Sequence, residues 1–106
     1  MAIKTYKPTS KSQRQHTSID YRKALSGDKP LKSLLKGKKR LGGRNAFGRI
    51  TVRHQGGGHK KRLRDVDFKF NKKDIPATIS TIEYDPYRSA FIGLAVYRDG
   101  EKRYVV

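Results

Sequence analysis

The sequence predicts a mostly β protein, in which a long basic arm precedes a small antiparallel β-barrel. Three observations lead to this fold class. Positive charge is concentrated in residues 1–62, which carry 18 Lys and Arg against two Asp, whereas residues 63–106 carry eight against seven acids. Alternation of polar and apolar residues begins only in the second span. Segments containing Gly, Pro, Asp or Asn separate the apolar runs there, as expected for strands joined by tight turns.

The arm is expected to be extended and irregular over residues 1–27, which are polar and basic. A segment with this much like charge repels itself and has little apolar surface to bury. We therefore expect the arm to be largely unfolded in isolation and to become ordered when phosphate groups neutralise it.

At most one short helix is predicted in the arm, within GDKPLKSLLKGKKR (27–40). This segment contains a capping residue, a first-turn proline and a terminating glycine, namely Asp28, Pro30 and Gly37. Its apolar face would consist of Leu31, Leu34 and Leu35. Two turns of helix are marginal without a surface to pack on. The helix would therefore dock either on a partner or on the chain's own domain, and the sequence leaves both open.

Two glycine clusters follow, each flanked by cations. The first is GGRNAFGR (42–49), and ITVRH (50–54) after it predicts a short extended segment because of its β-branched residues. The second is RHQGGGHKKR (53–62). Glycine has no Cβ, so the backbone N–H groups of such turns can approach a sugar–phosphate chain closely and form an anion seat.

The remaining chain predicts four consecutive strands. DVDFKF (65–70) alternates, which places Val66, Phe68 and Phe70 on one half-buried face. IPATISTIEY (75–84) is a second strand whose apolar phase slips after Ile79, which indicates a bulge. AFIGLAVY (90–97) does not alternate, so both faces should be buried.

Turn signals separate these strands. In DPYRS (85–89), Asp85 is expected to cap the turn through the backbone, and Asp99-Gly100 is a strong hairpin signal. YVV (104–106) begins the fourth strand. About 44 residues of β-structure is near the lower limit for a self-sufficient core. We therefore expect an incomplete barrel whose open edge is covered by further polypeptide or by a partner.

Nucleotide hydrolysis and metal binding are poorly supported. Gly43 and Gly48 have the spacing of a phosphate-binding loop, but Arg49-Ile50 follows where Lys and a hydroxyl residue are required. His54 and His59 lack a cysteine or acid nearby to complete a ligand set.

Acid–base catalysis is equally weak. Asp65 and Asp67 should point to solvent and pair with Arg62 or Arg64. We predict that the protein is not an enzyme.

The phosphate interpretation fits the glycine clusters best, with Phe47 as a group that could stack on a base and the arginines as forks for phosphate. The candidate RNA-binding residues are Lys38, Lys39, Arg40, Gly43, Arg44, Asn45, Arg49, Arg53, His54, Gly56, Gly57, Gly58, His59, Lys60, Lys61 and Arg62.

The segments GRITVRHQGGGHKKR, DFK, IPA, IEYDPYRSA and DGEKRY, in this order, resemble the N-terminal part of the universal large-subunit ribosomal protein L-two family. The resemblance covers most of residues 43–104. It implies a partly open, five-stranded OB-type barrel that binds large-subunit ribosomal RNA, with an arm threaded between RNA helices. Arg88 matches an arginine in a turn of the family and joins the candidate RNA-binding residues. The chain departs from the family pattern at Gln55, Tyr87, Phe91 and Gly93.

The resemblance divides the chain into a basic RNA-binding arm (1–47), a glycine-rich RNA-contact loop (48–62) and an OB-like barrel (63–106). It implies large-subunit ribosomal RNA and neighbouring ribosomal proteins as partners, in a cytoplasmic ribosome. A membrane, a small-molecule substrate and a homo-oligomer are not expected. No cofactor is expected either, with any structural Mg²⁺ held by the RNA. The alternative is a basic protein that binds nucleic acid nonspecifically.

Overall fold

The computed structural model of the protein describes residues 2–106. It is mostly β, with three small antiparallel sheets and no closed barrel in the described residues, which confirms the predicted fold class. The N-terminal sheet pairs β1 (Ile3–Thr5) with β2 (Thr17–Ile19), and helix α1 (Tyr21–Ala24) follows. A 3₁₀ turn (Lys32–Leu34) leads into β3 (Leu35–Gly37), which pairs with β4 (Arg62–Arg64). The third sheet contains β5 (Ala77–Glu83), β6 (Ile92–Tyr97) and β7 (Lys102–Val105), in that order.

The β5–β6–β7 meander follows the sequence-based prediction closely. Its register shifts between Ile79 and Thr81, which is the irregularity indicated by the apolar phase of that strand. At the β5–β6 turn, Oδ1 of Asp85 accepts the N–H of Tyr87 at 2.9 Å, which confirms the predicted cap. The β6–β7 hairpin turns at Gly100, whose φ of +87° is a conformation that favours glycine.

The core is small and is built around a buried tyrosine on β7. Ile92, Leu94 and Tyr104 form the buried cluster, and Leu31, Leu34 and Val66 pack against it. The Tyr104 hydroxyl donates to Oε2 of Glu83 at 2.8 Å and accepts the Leu31 N–H at 2.9 Å. Burial raises the pKa of Tyr104 to about 12.

Tyr104 also binds the chain through its backbone. Its carbonyl accepts the N–H of Asp67 at 2.9 Å, and Val66 forms an isolated parallel bridge with it. At Asp65, the residue before Val66, the backbone N–H donates to the carbonyl of Leu34 at 2.9 Å. The segments just before and just after residues 35–64 are therefore hydrogen-bonded to Tyr104 and to each other.

The predicted helix in residues 27–40 is wrong. Only the single 3₁₀ turn forms, because Leu35–Gly37 becomes a strand that pairs with Arg62–Arg64. Leu31 and Leu34 pack on the chain's own core, which settles the alternative left open by the sequence. Residues 2–27 are also more regular than expected, since they contain the β1–β2 hairpin and helix α1.

The predicted strand over residues 65–70 is wrong as well. Val66 alone pairs with the sheet, while Phe68 and Phe70 are 66% and 51% exposed. Phe70 also has a φ of +46°, which ends any extended run. Similarly, in residues 50–54 only Ile50 forms a bridge, to Arg44.

Asp65 and Asp67 do not pair with Arg62 or Arg64 as expected. Asp65 binds Lys36 at 2.6 Å, and Asp67 binds Arg103 at 2.8 Å. The hydrogen bond from Arg103 holds the pKa of Asp67 below its usual value.

An ion-pair network fixes the connection between Asp67 and β5. The Lys72 ammonium contacts both Asp99 and Glu101, and Arg103 binds Glu101 at 2.5 Å. The Lys72 hydrogen bond lowers the pKa of Asp99, while the same contacts raise the pKa of Lys72. The acids of the barrel are thus neutralised largely within the barrel.

No helix in residues 2–106 is both long and apolar enough to cross a bilayer.

Tyr104→Phe should lower the free energy of unfolding by about 1–3 kcal/mol, because it leaves the buried Glu83 carboxyl and the Leu31 N–H without their partner. Urea unfolding followed by circular dichroism measures this. Tyr84→Phe is the matched control, since Tyr84 directly follows β5 and is 47% exposed. Equal effects of the two substitutions would contradict the role assigned to the buried hydroxyl.

Alkaline pH should weaken the fold through the same hydroxyl. The folded pKa of Tyr104 is raised to about 12 from an ordinary value of 10.0, so the unfolded chain loses this proton first as the pH rises. The stabilisation is complete below pH 10 and falls between pH 10 and 12, by about 3 kcal/mol in all. The difference in unfolding free energy between the parent chain and Tyr104→Phe isolates this contribution from lysine titration, and a difference independent of pH would refute it.

Candidate nucleic-acid interface

The β3–β4 ladder closes the base of a long loop that contains both glycine clusters. Leu35 lies opposite Arg64, and Gly37 lies opposite Arg62, so residues 38–61 leave the domain and return at neighbouring positions. This pairing brings together cations that are more than 20 residues apart in the sequence.

A groove at this base is lined almost entirely by positive charge. Its walls contain Leu35 and Gly37 and seven cationic side chains, namely Lys32, Lys36, Lys38, Lys39, Lys60, Lys61 and Arg62. Among these seven, and within the described residues, only Lys36 forms an ion pair with a carboxylate, that of Asp65. Like charges at this density repel each other, and phosphate groups in the groove would remove the repulsion.

Tyr87 connects the groove to the barrel. The ammonium groups of Lys38 and Lys61 each lie 5.7 Å from the centre of its ring. Such cation–π contacts contribute about 0.5–1 kcal/mol at exposed sites. The aromatic residue that departs from the family pattern thus holds one lysine from each side of the groove.

The first glycine cluster closes the loop on itself at Gly43, which has a φ of +72°. Its carbonyl accepts the N–H groups of Thr51 and Val52 at 2.9 and 3.1 Å. A Cβ at this position would lie 2.1 Å from the Val52 carbonyl oxygen. Gly43 is therefore required by the conformation of the loop itself.

The second cluster is held by Arg40, whose Nη1 donates to the Gly57 carbonyl at 2.8 Å. A Cβ at Gly58 would lie only 2.4 Å from the same nitrogen, so the guanidinium packs directly on the glycine backbone. At Gly57, by contrast, a Cβ would meet no atom within 4 Å and φ is not positive. Although the Gly57 carbonyl is bound, the side of this residue on which a Cβ would lie is open to an incoming ligand.

Asn45 organises the tip of the loop. Its Oδ1 accepts the N–H groups of Phe47 and Arg49 at 3.0 and 3.1 Å. Its backbone N–H donates to the Arg49 carbonyl at 2.9 Å, and its carbonyl accepts the Gly48 N–H at 3.0 Å. The Phe47 ring projects from this turn and is 90% exposed.

The structure divides the predicted RNA-binding residues into three groups. Five lie together in the groove: Lys38, Lys39, Lys60, Lys61 and Arg62. A second group lies on the exposed loop: Arg44, Arg49, Arg53, His54, Gly56, Gly57 and His59. The arginines and histidines of this group have no carboxylate partner in the described residues. The third group shapes the protein itself: Arg40, Gly43, Asn45, Gly58 and Arg88.

Arg88 stabilises the turn between β5 and β6. Its Nε lies 2.7 Å from Oδ2 of the fully buried Asp85, and its guanidinium lies over the Phe68 ring at 5.1 Å. The side chain is only 23% exposed. Arg88 thus neutralises a buried acid within the chain.

Lys32 and Lys36 also line the groove, although neither is among the candidate residues. Their place in the groove depends on the pairing of β3 with β4. In residues 2–106, no group of three or more His, Asp or Glu side chains is arranged to hold a metal ion.

A model of the family described as Ribosomal Proteins L2, RNA binding N-terminal domain, matches residues 31–106. The chain belongs to this family. The resemblance identified from the sequence is therefore confirmed. The match begins at Leu31, whose N–H binds the Tyr104 hydroxyl. The family consists of structural ribosomal proteins, which agrees with the prediction that the chain is not an enzyme.

Two curated relatives cover the whole chain. The large ribosomal subunit protein uL2 of Nitrobacter winogradskyi is 55% identical over 106 residues, and that of Nitrobacter hamburgensis is 54% identical over the same length. The chain spans 38% of the length of each relative.

Gly43→Ala should open the loop, because alanine resists the positive φ and its Cβ would collide with the Val52 carbonyl. The expected result is at least tenfold faster hydrogen exchange at the Thr51 and Val52 amides, measured by NMR, which corresponds to about 1.4 kcal/mol or more of lost local stability. Gly57→Ala is the matched control and should leave these amides protected. Equal protection in the two variants would contradict the closure at Gly43.

Proposed function

We propose that the chain binds large-subunit ribosomal RNA as a structural part of the large ribosomal subunit. The observation that carries the proposal is the groove between β3 and β4, where six of seven cations have no carboxylate partner in the described residues. A site of this kind has a strong affinity for a polyanion and no catalytic group to act on it. Family membership supports ribosomal RNA as that polyanion.

Binding in this proposal is electrostatic and conformational. Phosphates of one RNA segment occupy the groove, and the open backbone at Gly57 allows a second segment to approach the loop. Lysine ammonium groups act as point charges that do not read bases. The groove therefore recognises the spacing of the phosphates more than the base sequence of the RNA. The loop and the groove together would cross-link two RNA segments.

The finer features predicted from the sequence belong to the same proposal. These are the division into an arm (1–47), a contact loop (48–62) and a barrel (63–106), the neighbouring ribosomal proteins as further partners, and a place in the cytoplasmic ribosome. The names of the relatives, both large-subunit proteins, support this location. No cofactor of the protein's own is proposed, and Mg²⁺ would be held by the RNA.

The affinity for RNA should fall steeply with salt. With roughly eight phosphates neutralised and a slope of about −0.7 per contact, binding should weaken by roughly three orders of magnitude between 50 and 200 mM salt. The double variant Lys60→Ala/Lys61→Ala should reduce the slope by about 1.4. Fluorescence anisotropy with a fragment of large-subunit ribosomal RNA measures both quantities.

Lys73→Ala is the matched control, since Lys73 is an exposed lysine that does not line the groove. Its slope should stay near that of the parent chain. A double variant with an unchanged slope would show that the groove does not bind phosphate. Equal affinity of the parent chain for duplex DNA and structured ribosomal RNA above about 200 mM salt would favour the nonspecific nucleic-acid binder instead.

A further inference from the structure

Phe47 is the most exposed of the large apolar side chains in residues 2–106, at 90%. An aromatic ring in water forgoes the stabilisation that burial would give, and buried rings dominate the energetics of interfaces. The groove lies at the base of the loop and involves no aromatic residue of the loop tip. Phosphate binding in the groove therefore gives this ring no role.

The ring is presented by an ordered turn. Four hydrogen bonds, at 2.9–3.1 Å, link Asn45 to Phe47, Gly48 and Arg49, and a bridge between Arg44 and Ile50 closes the turn. Gly48 has a φ of +79°, which the tight return of the chain requires. A turn fixed in this way loses little conformational entropy when its outer side chain binds a ligand.

The positive charge of the residues next to Phe47 indicates the class of ligand that the turn binds. Arg44 and Arg49 flank the turn, and residues 29–64 contain no Asp or Glu. Both arginines are exposed and lack an ion-pair partner in the described residues. The best complement to an exposed aromatic ring on a turn flanked by two unpaired arginines is a ligand that has a flat π-face next to anionic groups.

We infer that Phe47 stacks on an unpaired RNA base, while Arg44 and Arg49 bind the phosphates on either side of that base. Fully paired RNA hides the faces of its bases, whereas a bulge or loop exposes them. The preferred ligand is therefore an RNA helix that carries an unpaired nucleotide. The inference rests on the proposed function, and it adds a selectivity that the lysine groove cannot provide.

The test compares two RNA probes: a short hairpin with one bulged adenosine, and the same hairpin without the bulge. Phe47→Ala and Phe47→Leu should each weaken binding of the bulged probe by about tenfold, and should leave binding of the paired probe and both salt slopes unchanged. Leu41→Ala is the matched control, since Leu41 is an aliphatic residue of the same loop with 68% exposure. It should bind both probes like the parent chain.

Phe47→Trp provides an independent readout, because the 106 residues contain no tryptophan. This variant should retain the affinity for the bulged probe. Its fluorescence should be quenched by that probe, and much less by the paired one. Because residue 47 is exposed, none of these substitutions should change the thermal unfolding of the protein, and calorimetry checks this.

Three results would overturn the inference. Parent-like binding by Phe47→Leu would mean that the contact needs no π-face, and parent-like binding by Phe47→Ala would mean that the ring has another occupant, such as a protein. Equal losses with both probes would mean that the bulge is not recognised. If the parent chain bound neither probe in a salt-dependent way, the proposed function itself would fail, which is a distinguishable result.

Discussion

The hydroxyl and carbonyl of Tyr104 fix the position of the whole cationic loop. The hydroxyl joins Glu83 on β5 to the N–H of Leu31, and the carbonyl accepts the N–H of Asp67. Leu31 precedes the loop and Asp67 follows it, so one buried residue holds both ends. Only with both ends held can β3 and β4 pair over three residues each, because such short strands are not stable in isolation. The groove between them is a consequence of this attachment.

A second constraint is that most acids of residues 63–106 pair with cations of the same span and few pair with cations of the loop. In residues 63–106, the carboxylates of Asp67, Asp99 and Glu101 neutralise Lys72 and Arg103, and the buried Asp85 neutralises Arg88. These pairs order the barrel and leave few acids to offset the cations of the loop. Within residues 2–106, the only carboxylate paired with a groove residue is that of Asp65. A domain that is almost neutral therefore carries a loop whose charge can be balanced only from outside.

The sequence predicted the β5–β6–β7 sheet better than the loop, for physical reasons. The strands Ala77–Glu83 and Ile92–Tyr97 and their turns follow from local signals, namely apolar phase, Asp before Pro, and Asp-Gly. Leu31 and Leu34 fit one face of a helix equally well, and only the distant Arg62–Arg64 segment makes the chain after them extended. The groove depends on the same long-range pairing, which is why Lys32 was missed. The local composition did identify Lys38, Lys39, Lys60, Lys61 and Arg62, although not their convergence.

The glycines show why composition alone cannot assign roles within such a loop. Gly43 and Gly58 have positive φ and are covered by a carbonyl and a guanidinium, so they serve the conformation of the chain. Gly57 has neither constraint, and the side on which its Cβ would lie is open, although Arg40 binds its carbonyl. Both kinds look identical in the sequence, and both suggest contact with phosphate. The distinction matters for mechanism, because the closed glycines hold the loop in shape before the ligand arrives. A loop shaped in advance loses less entropy on binding RNA than a flexible basic tail does, and it can present an aromatic ring at a defined position.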